Sequence, residues 1–359
     1  MAVIAMHYSA TMQDIASGNF PSLAPHGSLA VDVFFVLSGF IMGYTYLDSF
    51  RSQDTWTAYP KFLGKRAARI LPLNAFVTVT LTLVALVAFW LSGVNPVSTV
   101  RPDNAFLDLL SNLLLLPGLG IGNSLNWPAW SISVEFATYF IFPLLLTIVF
   151  SHGYRLLALT CFLAVLGMYA SVWPGLNVHG MHNHPWPWRD LLRCACEFTL
   201  GLATFRAYAS GRAARIFSRD DVALAISAAI LFVVFFNLGE LFAMVLFPAL
   251  VLALSLNKGR IAALLSTRFL HFLGQISFSL YLVTDPFRGL AQSLVKMLHP
   301  VPLPPYLGMA IAAVCAVSMI IPAWFTYTLV EKPSRGALRV LLSGRASRRA
   351  VAAASQGET

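Results

Sequence analysis

The sequence predicts an all-α, polytopic integral membrane protein of about ten transmembrane helices. Three observations carry that expectation. Hydrophobic residues make up 58% of the chain and charged residues 11%, against roughly 45–50% and 25% in soluble domains. Apolar stretches of spanning length recur from one end to the other. The basic residues cluster at 61–69, 206–219, 258–268 and 332–349, between or after those stretches. A net charge of +9 would otherwise invite a nucleic-acid partner. Placed this way it follows the positive-inside pattern, so the expected partner is membrane lipid and no nucleic acid is expected. The same bias predicts a multi-pass protein of the cell membrane with a cytoplasmic C-terminus.

The chain opens on MAVIAMHYSA, which is apolar but far shorter than the roughly 20 residues of a span. It reads as the second half of a helix and carries His7. Residues 29–47 form a clear span that begins with Asp32, and Gly39 and Gly43 on it are spaced for close helix approach. Residues 61–72, KFLGKRAARILP, have an apolar and a basic side and predict a short interfacial helix on the cytoplasmic face. A further span covers 73–91. Residues 104–119 are too short to cross and end in Pro117, Gly118 and Gly120, which suits a re-entrant or interfacial segment.

The span at 127–146 carries Glu135, and 156–173 is the next. A polar loop at 174–187 holds His179, His182 and His184. Spans at 190–205, 222–236, 241–256, 270–290 and 306–330 follow. The membrane domain thus covers 1–331, and 332–359 forms a basic, then Ala/Ser-rich tail that is expected to be disordered. No internal repeat is visible, which counts against an inverted-repeat transporter. The four cysteines, Cys161, Cys194, Cys196 and Cys315, fall inside predicted spans and read as packing residues rather than a disulfide or metal set.

Several polar groups sit where lipid would surround an ordinary helix. Glu135 costs roughly 2.5 kcal/mol or more to insert. Ser131, Thr138 and Tyr139 share its helical face. Either it is a structural charge paired with an arginine, or it belongs to a reaction site. His7 is a satisfied core histidine or a general base. Asp32, with Ser38 beyond it, is a helix-start carboxylate or a catalytic one. Ser277, Tyr281, Thr284, Asp285 and Arg288 form a polar stripe in which Asp285 and Arg288 pair internally; Asp190, Arg193 and Glu197 form a parallel set. Arg66 and Arg69 either anchor the chain to anionic headgroups or bind the phosphates of a donor such as coenzyme A. The HxxHxH loop is weak as a metal site, and no metal is expected.

Taken together, the motifs resemble the membrane acyltransferase family 3. They are DVFFVLSGF at 32–40, RAAR at 66–69 followed by Pro72, WSISVE at 130–135, RCACEFTLG at 193–201, LGQISFSLYLV at 273–283 and EKP at 331–333. The resemblance implies a ten-span enzyme that moves an acyl group, often acetyl, from cytoplasmic acyl-CoA to a hydroxyl of a glycan or other small acceptor. It implies His7 as the catalytic histidine. The family has an arginine eleven residues before it, which would precede Met1, so the start is expected to lie upstream or the chain to be truncated. It departs from the family at Thr284, where a histidine is common, which weakens any mechanism needing that second histidine. On this reading Glu135 supports His7, and Arg66 and Arg69 hold the donor. Asp32, Ser38, Trp130, Ser133, Arg193, Glu197, Tyr281, Thr284 and Asp285 line the substrate cavity. A transporter using the same polar groups, or an inactive homologue, are the competing readings.

Overall fold

Polar and charged side chains lie inside this molecule among the apolar ones, and large apolar side chains also cover its outside, which a soluble domain would not tolerate. Asn74, Thr78, Asp108, Thr138, Arg193 and Glu197 are buried, while Leu83, Val87, Trp90, Phe162, Phe232 and Phe235 are exposed. Lipid as the solvent accounts for both halves of that pattern. The structure, a computed structural model, describes residues 28–93, 100, 102–151, 153–172, 188–298 and 305–337. His7 and the span around it, the histidine loop and the chain after 337 lie outside the described residues.

The described chain is helical, without a strand. In order come α1 (Ser28–Ser52), α2 (Thr55–Ser92), α3 (Ala105–Leu113), α4 (Ala129–Phe150), α5 (Tyr154–Ser171) and α6 (Trp188–Ala209). They are followed by the short α7 (Ala214–Phe217), α8 (Asp220–Phe235), α9 (Glu240–Leu256), α10 (Arg260–Leu265) and α11 (Arg268–Leu298). Last come α12 (Pro305–Ser318) and α13 (Ile320–Thr326), which runs into a π turn at Tyr327–Glu331 and on as helix through Ala337. Helices thus occupy every predicted span that falls in the described residues. Among these residues, five helical segments are long and apolar enough to cross a membrane: Leu29–Ser52, Thr55–Leu91, Ala129–Phe150, Tyr154–Ser171 and Ala313–Ala337. α6 has the length but carries Arg189, Asp190, Arg193, Glu197 and Arg206, and α9 has 17 residues.

Two sequence expectations change. The basic stretch at 61–72 is not a separate interfacial helix. It is continuous with 73–91 in a single 38-residue helix, α2, that keeps Pro60 and Pro72 inside it. Each proline forfeits one hydrogen bond, but breaking the helix in an apolar medium would orphan several backbone groups at several kcal/mol apiece. The helix therefore continues, and Arg66 and Arg69 ride on a spanning rod. The chain after Glu331 also stays helical through Ala337, beyond the boundary set for the tail.

The segment expected to be re-entrant is a nine-residue helix, α3, followed by a tight turn with Leu115 at φ 57° and a 3-10 turn at Pro117–Leu119. Side chains satisfy its backbone. Asp108 accepts from Asn123 N and Nδ2 at 3.1 Å, and Asn112 receives Leu125 N at 3.0 Å while donating to Asn123 O at 2.7 Å. That is how irregular backbone is tolerated away from water.

α1 and α6 approach each other closely, and Gly39, read from the sequence, together with Gly201 explains it. A Cβ on Gly39 would lie 2.0 Å from Phe198 O, and one on Gly201 2.0 Å from Val36 O. Gly39→Ala is expected to force the two helices apart at about 1–3 kcal/mol, lowering the thermal midpoint of purified protein. Gly274→Ala, which meets nothing within 4 Å, is the control and should leave it unlowered or slightly raised, since alanine is the better helix former.

Candidate functional site

Glu135 lies near the start of α4, and the helical repeat sets Tyr139 one turn beyond it. Tyr139 OH donates to Glu135 Oε1 at 2.7 Å. α1 brings Ser38 to the same atom, its Oγ donating at 2.5 Å, with Tyr139 OH 3.4 Å from that hydroxyl. Tyr139 is buried, whereas Ser38 and Glu135 stay half-buried, so the carboxylate faces a partly open space.

α2 supplies the cations. Arg66 lies over two rings, 5.8 Å from the Tyr46 centroid and 5.9 Å from that of Tyr139. Its electrostatic neighbours are Tyr139, Tyr46 and Glu135, and those of Arg69 include Arg66, Tyr139 and Glu135. Both arginines are half-buried, with groups of the bundle interior as neighbours. Arg66 Nε is buried without a hydrogen-bond partner among the described residues. A buried guanidinium donor left open beside a carboxylate is a place for an anionic ligand.

A second charge cluster surrounds Arg193. Arg193 Nε and Nη2 meet Asp32 Oδ1 and Oδ2 at 2.8 and 2.5 Å, a fork-to-fork pair between α6 and α1. Asp32 is therefore not a helix-start group facing water: it sits inside α1 and is 2% exposed. Glu197, on the same face of α6, lies 3.9 Å from Arg193, and Glu240 reaches it from α9 at 3.5 Å. Cys194 and Thr138, 3.4 Å apart, form the wall between this cluster and Glu135.

α11 closes the near side. Tyr281 OH meets Ser131 Oγ at 2.8 Å, one turn before Glu135, and Asn126 Nδ2 donates to Leu282 O at 2.9 Å. Asp285 pairs with Arg288 at 2.7 Å within the helix, as its spacing predicts. Thr284 is not brought to Glu135; its hydroxyl folds back to Leu280 O at 2.5 Å and is fully buried. Ser133 likewise turns away, donating to Ala129 O at 3.1 Å beside Gly118. Trp130 stands edge-on to Phe35 with ring centroids 6.5 Å apart. The structure thus unites Ser38, Glu135, Arg66 and Arg69 around Tyr139, and Asp32, Glu197 and Glu240 around Arg193. Ser133 and Thr284 hydrogen-bond the backbone of their own helices instead.

Sequence reasoning passed over Glu240, although a lone acid opening the apolar stretch 240–256 was a visible signal. It also gave no role to Ser279, Glu331 and Arg335. Ser279 Oγ donates to Glu331 Oε2 at 2.5 Å, and Arg335 pairs with Oε1 of the same buried carboxylate.

A family model described as an acyltransferase domain matches residues 1–326. Among curated proteins, acyltransferase MdmB of Streptomyces mycarofaciens is 37% identical over 126 residues, covering 33% of this chain and 28% of the relative. The match therefore spans less than a third of that relative's length. No solved structure matches.

Proposed function

Because the chain belongs to the membrane acyltransferase family 3, we propose that it transfers an acyl group, acetyl in the simplest case, from acyl-CoA to a hydroxyl of a glycan or other small acceptor. The observation that carries the reading is the arginine pair on α2, half-buried and aimed at a hydroxyl-held carboxylate in the bundle interior. Arg66 and Arg69 bind the donor's phosphates. The open Nε of Arg66 fits that task, since guanidinium recognises phosphate through several directed donors. His7 draws the proton from the acceptor hydroxyl as that oxygen attacks the thioester carbonyl carbon, then returns it to the departing sulfur. Glu135, anchored by Ser38 and Tyr139, sets the charge of the cavity and orients the histidine. In this scheme the protein sits in the cell membrane with its C-terminus and donor entrance on the cytoplasmic side.

Mass spectrometry of surface glycans from cells with and without the gene tests the reaction. An acyl mass shift that depends on the gene is expected. Unmodified glycan whose export depends on the gene and not on acyl-CoA would make the protein a transporter. For the donor, Arg66→Ala with Arg69→Ala should raise KM for acyl-CoA by about tenfold or more, each lost charged contact being worth about 1.5–3 kcal/mol. An unchanged dependence on acyl-CoA returns the pair to a structural role.

A further inference from the structure

The π turn at Tyr327–Glu331 packs against α2 and ends on a carboxylate that is 1% exposed. Such turns shift the helical face by one residue and so re-aim the side chains that follow. Here the side chain that follows on the same face is Arg335, one turn beyond Glu331. Both oxygens of Glu331 are engaged, Oε2 by Ser279 and Oε1 by Arg335.

Arg335 has donors left over. Its Nε is buried and without a hydrogen-bond partner among the described residues, although the side chain as a whole is 35% exposed. The strongest charge repulsions on Arg69 come from Arg66 and then from Arg335. Three guanidiniums, two with open buried Nε groups, thus converge where α2 meets the C-terminal helix. Glu331 is already occupied, and Glu135 is shared with Ser38 and Tyr139. Like charges gathered at a partly buried site favour a counter-anion between them.

We infer that Arg335, positioned by Glu331 and Ser279, is the third phosphate-binding arginine beside Arg66 and Arg69, and that the site takes a ligand carrying more than one phosphate. The inference rests on the donor role proposed for Arg66 and Arg69. The phosphates come either from the nucleotide end of the acyl donor or from an anionic lipid headgroup.

Calorimetric titration of the full-length protein in phosphatidylcholine nanodiscs separates these cases, with coenzyme A, pantetheine and inorganic pyrophosphate as probes. Arg335→Lys keeps a cation on Glu331. Glu331→Gln with Arg335→Gln removes both charges together and leaves no buried carboxylate unpaired. Both variants are expected to bind coenzyme A and pyrophosphate about tenfold more weakly and pantetheine, which lacks the nucleotide phosphates, unchanged. Equal coenzyme A binding by wild type and variants overturns the role of Arg335 while leaving the donor reading intact. Arg335-dependent pyrophosphate binding without coenzyme A binding keeps the three-arginine site and removes the donor. A wild type that binds neither overturns both. Adding phosphatidylglycerol distinguishes the sources: a headgroup occupant weakens pyrophosphate binding where Arg335 is present, and a soluble donor site is unaffected.

Discussion

Arg193→Leu is expected to abolish accumulation of folded protein in the membrane. The substitution leaves Asp32, Glu197 and Glu240 facing one another with their shared cation gone. Removing one partner of a buried ion pair typically costs about 3–5 kcal/mol, a large part of the roughly 5–15 kcal/mol that holds a protein folded. The tether between α1 and α6 is lost with it, and these are the two helices brought close by Gly39 and Gly201. Size-exclusion profiles and thermal midpoints in detergent measure the effect. Asp32→Asn with Arg193→Gln should recover much of the loss, because a neutral pair can still hydrogen-bond without stranding a charge. Wild-type stability in Arg193→Leu alone would refute the network's structural role.

The second large effect is on chemistry. His7→Ala is expected to lower transfer by about 10²–10⁴-fold, the usual contribution of a general base, with expression and thermal midpoint unchanged. Glu135→Gln should be milder and less selective. A glutamine oxygen still accepts from Ser38 and Tyr139, but the charge facing Arg66 disappears, so activity and stability decline together. Comparing the two variants in transfer rate and thermal midpoint separates base from support. Retained transfer in His7→Ala would remove it from the mechanism. A Glu135→Gln variant that loses activity as completely as His7→Ala, at full stability, would make the carboxylate the base.

Much of the site was legible because lipid imposes a strict test on every polar group. Glu135, Asp32, Arg193 and Glu197 stood out in apolar stretches where charge is costly; the first three proved to be bonded across helices, and Glu197 lies beside Arg193 on its own helix. The i, i+4 rule anticipated Tyr139 beside Glu135, and the i, i+3 spacing anticipated the pair of Asp285 and Arg288. The limits were equally physical. A hydroxyl on a helix can bond its own backbone, and sequence does not say when it does. Thr284 and Ser133 spend their hydroxyls that way. Glu331 closed the expected membrane domain without a role and Arg335 fell in the expected basic tail, because their neighbours Ser279 and Arg69 lie far away along the chain.

Composition and spacing along the chain settle the class of molecule, the positions of most helices and which residues would be too costly to leave unpaired. Composition and periodicity are local properties, and desolvation acts on each residue wherever it sits. The partners were chosen by helix packing. It ran α2 straight through Pro72 and so carried Arg66 and Arg69 inward. It sent Arg193 to Asp32 instead of leaving it within its own helix, and it gathered Ser38, Tyr139 and the arginines around Glu135. Those choices turn on how closely helices approach, and on what a Cβ at Gly39 or Gly201 would strike. Contacts of that kind join residues remote in sequence, so they emerge only when the helices pack.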